Sequence, residues 1–405
     1  MALPTASTGQ MTLTATDVTS LGYVSLANFL KNKPIDQVAQ QRPLLKALMA
    51  KKKPYGGGSG GAAGKTIVEQ VRTTYGSNEF KWFGDTGLAT GDTVAYAVKD
   101  TTRQVYFPWN SAHDGFKFSE DYLLGNGILI GDSQNPRNSG DASLVQLTNV
   151  FNEAMETLRL GFEEMLDLSL HLDGQYNPGS TAMTPNAAIN GLDYIVNMNP
   201  SALGIAGIAF GETWWHNHFD YGLGLDISGA VPAAKGYPNA TLVNAMQDMW
   251  RSCQKNGGSP NFLLAGTDFI KGYELASATA MSRYAVQPGS MSAPWNFDPS
   301  LEIKDMGTFT GLFFNGVPII WDPTFDQCTV KDGGSSMNKI VPWTNRCYML
   351  NMNHLFLRPI EGNDMIARKP PREHTSYNYY WGMTWRGALT ANRRNCHGVI
   401  SASGA

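Results

Sequence analysis

Charge is in short supply in this chain. Charged residues make up 16% of its 405 positions, against roughly 25% in ordinary soluble domains. The surface is therefore expected to be rich in neutral polar groups, which suits broad protein–protein contact. The formal net charge of -3 removes any whole-chain electrostatic case for tight nucleic-acid binding, so contact with phosphate would have to be local. Cysteine is sparse as well. Cys253, Cys328, Cys347 and Cys396 are widely spaced and form no CxxC pair, which argues against both a zinc finger and a disulfide framework. No run of apolar residues is long enough for a membrane helix, and the first residues lack the basic and apolar regions of a secretory leader. A protein kept off the membrane, with free thiols, is the expectation.

What is present falls into distinct stretches. Residues 1–50 are rich in Thr, Ser and Gln, with one short helical pattern through Ile35, Val38, Leu44, Leu45 and Leu48 interrupted by Pro34 and Pro43; an extended arm is expected. Lys51, Lys52 and Lys53 lead into a glycine-rich run in which Gly56, Gly57, Gly58, Gly60, Gly61 and Gly64 predict a hinge. Thr66 to Tyr75 and Arg103 to Trp109 alternate apolar and polar residues and predict a long two-stranded ribbon. Two strands alone are marginal in water, and the stretch 65–122 has too little apolar mass to stand by itself, so it is expected to be completed by another copy of the chain.

Leu144, Phe151, Leu158, Met165 and Leu172 recur at every seventh residue and predict a helix over 141–173 with these side chains on its buried face. Gly161 in its middle costs about 1 kcal/mol relative to alanine. Glu153, Glu156, Glu163, Glu164 and Asp167 read as its solvated acidic face. Further on, Leu242–Lys255 reads as a helix, and Asn261–Ala265, Leu312–Ile320, Cys347–Leu350 and Leu355–Arg358 read as strands. The fold class is α+β.

Several motifs tempt an enzymatic or binding reading. Ser59 to Thr66 is one residue short of the phosphate-loop pattern G-x-x-x-x-G-K-[ST], but a true loop follows a buried strand and opens a helix, whereas a β-type run follows here. His216, His218 and Asp220 could face one side of a strand as metal ligands, yet no fourth ligand flanks them. Cys396 and His397 are adjacent, so in a strand they point apart. Lys51–Lys53 can neutralise few phosphates. No catalytic residue, metal or cofactor is assigned. The competing classes are a nucleotide-binding enzyme using 59–66, and a secreted carbohydrate-binding or fibre module suggested by the Trp and Tyr content.

The order of segments resembles the major capsid proteins of tailed phages, the Hong Kong 97 fold family. The resemblance is carried by the polar arm, the ribbon, the helix ending in Leu170-His-Leu-Asp-Gly174, and Asn190 to Val196. It continues through Trp214-Trp215, Met246 to Phe262, Phe313 to Pro323, Arg346 to Leu355 and Trp385 to Arg394. It implies an arm and linker over 1–60, an extended loop over 61–120, and a peripheral domain over 121–185 with the helix as its spine. An axial domain over 186–340 and a return to the peripheral domain over 341–405 complete it.

Function would then be self-assembly, into pentamers and hexamers of an icosahedral shell, the virion capsid, around double-stranded DNA held without sequence-specific contacts. Assembly in the host cytoplasm with scaffolding, portal and decoration proteins would follow. The residues expected to serve assembly are Thr66, Val68, Val71, Tyr75, Trp82, Phe83, Tyr106 and Trp109 on the extended loop, with Leu144, Phe151, Leu158, Phe162 and Met165 on the spine helix. Some family members crosslink a ribbon lysine, but Lys65, Lys81, Lys99 and Lys117 cannot be ranked, and crosslinking is not predicted.

Overall fold

Where apolar residues alternate near Thr66 and again near Val105, the chain forms strands; where they recur at helical spacing from Asp141 onward, it forms its longest helix. The computed structural model describes residues 40–56, 64–75, 80, 96, 98–99, 101–125, 141–174, 188–198, 204–209, 211–220, 242–255, 257–281, 309–331, 342–370 and 378–401. The helices are α1 (Pro43–Ala50), α2 (Glu120–Gly125), α3 (Asp141–His171), α4 (Leu192–Ile195), α5 (Leu242–Lys255), α6 (Thr267–Met281) and α7 (Thr324–Lys331). The strands are β1 (Thr66–Arg72), β2 (Thr102–Pro108), β3 (Asn110–Ser119), β4 (His218–Asp220), β5 (Phe262–Ala265) and β6 (Phe309–Phe314). They continue with β7 (Val317–Trp321), β8 (Arg346–Leu350), β9 (Leu355–Pro359), β10 (Ile366–Arg368), β11 (Asn378–Ala391) and β12 (Gly398–Ser401).

Three sheets organise these elements. β1 and β2 pair antiparallel as the expected ribbon, with Ile67 opposite Phe107 and Glu69 opposite Val105. In a second sheet β11 pairs with β3, β9 and β10. The third has the order β4-β12-β8-β5-β7-β6. β8 and β12 therefore join strands from 218–321 in one sheet, across the expected boundary at residue 340. The run Leu312–Ile320, expected as one strand, is a hairpin. Asn315 and Gly316 both adopt positive φ, 48° and 82°, the Asn-Gly turn that fits the twist of paired strands.

The arm expectation fails in its last part. Pro43 opens α1 instead of breaking it, because a proline at the first helical position lacks only an N–H that would go unbonded anyway. Leu44, Ala47 and Leu48 are then buried against α3 and β9. After α1 the backbone stays docked: Lys53 and Tyr55 N–H groups donate to the Leu357 and Pro359 carbonyls at 3.0 Å each. The basic run is likewise engaged, with Lys52 Nζ 2.5 Å from Asp364 and Lys53 4.0 Å from the Phe356 ring centroid. Lys52 and Lys53 nonetheless stay exposed, as a solvated charge run would.

Helix α3 forms with nearly the expected bounds, and two of its assignments need correction. Met165 is 40% exposed and Asp167 is fully buried. An α-helix drifts about 20° per heptad against a strict seven-residue repeat, so the fourth heptad position turns outward. The C-terminal turns of α3 enter the core on all sides, burying Leu166, Leu168, Leu170 and His171 together with Asp167. Gly161 lies where an added Cβ would meet nothing within 4 Å. Gly161→Ala is expected to stabilise the subunit by about 1 kcal/mol, the helix-propensity difference, seen as a higher urea midpoint with unchanged slope.

Candidate assembly surface

The ribbon stem sits on its own body. Ile67, Val105 and Phe107 are buried against Ile205, Ala206, Ile208, Trp215 and Ala388, and Val71 and Trp109 pack at the margin of the same cluster. The Tyr106 N–H donates to the Ala206 carbonyl at 2.8 Å. Arg358 ties the crossing together: it pairs with Glu69 of β1, donates to the Thr390 hydroxyl at 3.0 Å, and lies 5.4 Å from the ring centroids of Tyr55 and Phe356. The expectation that this hairpin must be completed by another molecule is therefore wrong for the stem. Antiparallel pairing puts Ile67, Glu69 and Val71 on one face with Val105 and Phe107, and that face finds its cover within the chain.

Beyond the stem the picture reverses. Thr73 extends the pairing by donating its N–H to the Thr101 carbonyl at 2.8 Å. Tyr75, Tyr96 and Val98 are then 81%, 92% and 98% exposed. Large side chains are individually common on surfaces, and the near-complete exposure of all three sets them apart from the covered stem. Of the residues expected to serve assembly, Tyr75 is exposed and Thr66, Val68 and Tyr106 lie on the outer face of the stem. Val71 and Trp109 instead serve the chain's own core, and Trp82 and Phe83 lie outside the described residues. Sequence reasoning missed Tyr96 and Val98, whose only signal was the short apolar run Val94 to Val98 in a glycine- and aspartate-rich stretch. At the hinge, Gly56 and Gly64 adopt positive φ, 65° and 68°, a conformation that favours glycine; residues 57–63 are not among those described.

On α3, Leu158 and Phe162 are buried. Phe151 is half-buried and meets Trp381 at 5.2 Å and Phe116 at 6.1 Å between ring centroids, joining the helix to β3 and β11. The side chain of Leu144 lies outside the described residues. Glu153 and Glu156 are exposed, while Glu163 pairs with Arg159 at 3.1 Å and Glu164 with Arg42 at 3.5 Å.

Among the described residues, the enzymatic readings find no geometry. Lys65 and Thr66 enter β1 and not a helix, so no helix N-terminus meets a phosphate there. Only His218 and Asp220 of the trio at 216–220 lie in a strand, and the trio is not among the clusters able to hold an ion in the described residues. All four cysteines are free and buried. Burial pushes the Cys396 thiol up to about 12, so it is no nucleophile near neutral pH. No helix among the described residues is long and apolar enough to cross a membrane.

Neither a protein-family model nor a curated protein sequence matches the chain. Solved structures do. A chain of the cyanophage A-1(L) capsid asymmetric unit superposes with a TM-score of 0.51 at 15% identity, over 93% of this chain and 98% of that one. A chain of the cyanophage Pam1 capsid asymmetric unit aligns at TM-score 0.45 and 15% identity, over 92% and 95%. The capsid chain of Myoviridae phage XM1 aligns at 0.44 and 10%, over 93% and 98%. This protein has the fold of a phage capsid subunit, α+β throughout. The fold match with the A-1(L) chain leaves almost nothing of either chain over.

Proposed function

We propose that this chain is the major capsid protein of a tailed phage, a shell-building subunit without catalytic activity. The observation that carries the reading is the match in fold to the cyanophage A-1(L) capsid chain across 93% of this chain and 98% of that one. The anchored ribbon stem with Tyr75, Tyr96 and Val98 exposed beyond it supports the same reading, because a rigid base aims an apolar extension at a neighbour. The subunit would form pentamers and hexamers of an icosahedral virion shell assembled in the host cytoplasm. Scaffolding, portal and decoration proteins are the proposed helpers. Double-stranded DNA would be confined by the wall more than held by it, since the exposed side of α3 is acidic at Glu153 and Glu156. The arm, the extended loop over 61–120, and the peripheral and axial division belong to this proposal.

Electron microscopy and sedimentation of the purified chain test it, alone and co-expressed with its neighbouring genes. Capsomers or closed shells are expected; a monodisperse monomer in both settings would overturn the reading. Combining Tyr75→Ser, Tyr96→Ser and Val98→Ser is expected to abolish shells while shifting the isolated subunit's stability by no more than about 0.5 kcal/mol, the usual range for exposed sites.

A further inference from the structure

The inner end of α3 holds a polar cluster that shell contacts do not explain. Asp167, His171 and Asp322 are fully buried, and one ligand-capable atom of each lies within 4.8 Å of the others. His171 Nδ1 is 2.8 Å from the Asp167 backbone carbonyl oxygen. A carbonyl only accepts, so Nδ1 carries a hydrogen. Nε2 lies 2.8 Å from Asp322 Oδ2, and an imidazole lone pair faces a carboxylate at that distance only with positive charge between them.

A proton on Nε2 would satisfy Asp322 but not Asp167. Asp167 Oδ2 accepts from the Thr324 hydroxyl at 2.8 Å. Its Oδ1, 3.8 Å from His171 Nδ1, is buried with no hydrogen-bond partner. Protonating Asp167 does not help, because Oδ1 would become a donor with no acceptor. A bare carboxylate oxygen in a dry interior is costly, and a cation shared by all three residues is what removes that cost.

We propose that His171 through Nε2, together with the carboxylates of Asp322 and Asp167, binds one divalent first-row transition-metal ion that staples the end of α3 to the turn before α7. Atoms bound to one ion at about 2.0–2.2 Å lie roughly 3 Å apart, which the Nε2–Oδ2 separation of 2.8 Å approaches. Two carboxylates and a neutral imidazole are balanced by a divalent charge. The surroundings have the form of outer support for a metal: a carbonyl on the imidazole N–H, the Thr324 hydroxyl on Asp167, and the Thr324 N–H on Asp322 Oδ1 at 2.9 Å. The imidazole favours a zinc-type ion over magnesium or calcium. Because every ligand is buried, the ion must enter during folding, before the Asp322 turn closes, carrying in a water as its fourth ligand.

The test unfolds the purified chain with chelator, refolds it with Zn²⁺, Mg²⁺ or chelator, and measures retained metal and melting temperature after dialysis. About one zinc per chain and a higher melting temperature with zinc alone are expected. Asp167→Asn keeps the shape and the Thr324 contact, and should weaken zinc binding at least about 10-fold. No retained zinc, or equal retention by the Asp167→Asn chain, would overturn the site and leave a plain imidazolium–carboxylate pair. Should that variant fail to fold, refolding the wild-type chain with Co²⁺ decides: nitrogen and oxygen ligands give no thiolate charge-transfer band, and such a band would place the ion on the cysteines instead.

Discussion

Arg346→Met is expected to cost the subunit about 3–5 kcal/mol, the usual penalty for removing one member of a buried ion pair. Arg346 and Asp193 are fully buried, with Nη1 3.1 Å from Asp193 Oδ1. The same Nη1 donates to the Tyr348 hydroxyl at 3.2 Å, and the guanidinium lies 4.2 Å from the Trp343 ring centroid. The pair joins β8 to α4, so its loss should be felt by the six-stranded sheet as a whole. Urea denaturation of dissociated subunits measures it. The double variant Arg346→Met with Asp193→Leu should recover at least about half of the loss, because removing both charges removes the desolvation they share. A single variant within about 1 kcal/mol of wild type would show that water reaches the pair.

Acidification should destabilise the subunit through His397. This residue is fully buried, and its Nδ1 accepts the Asn351 N–H at 3.1 Å, so the ring must stay neutral. Burial, with the charges of His354 and Arg394 adding to it, pushes its pKa down to about 3 from the usual 6.5. Between those values the unfolded chain binds the proton and the folded chain does not, so stability falls as pH drops. From pH 7 to pH 4 the loss is about 3 kcal/mol. His397→Asn can keep an acceptor near the Nδ1 position without a titrating group. Its stability should fall less over that interval than the wild type's, and parallel curves would refute the assignment.

Much of this architecture could be read from the residues. The 3.6-residue pattern fixed α3 and α5, and alternation fixed β1 and β2, because each of those elements has one face toward a core. Legibility failed where burial was not one-sided. Asp167 looks like a surface acid because nothing local shows that Thr324 and His171, partners from both near and far in the chain, will enclose it. Arg394 is similar: its guanidinium donates to the Ile195 and Trp215 carbonyls and to Asn217 Oδ1 at 2.6–2.8 Å, closing segments nearly two hundred positions away. The misreading of Val71 and Trp109 has the same origin. Strand alternation reveals that one face is apolar, but whether the cover comes from within the chain or from another copy is a tertiary fact. Of the candidate surface, Tyr75 was legible, whereas Tyr96 and Val98 needed the folded chain to show their exposure.

The place of β12 has a consequence for how the subunit is made. Its four residues lie between β4 and β8, inside the six-stranded sheet, and Val399 and Ile400 are fully buried. A polypeptide interrupted anywhere before Gly398 keeps an open slot in the middle of that sheet, with unmet backbone groups on either side. Completion of the fold thus waits on a strand translated hundreds of codons after the ribbon. Under the shell reading, truncated translation products would lack a finished wall and be screened out before they could enter the lattice.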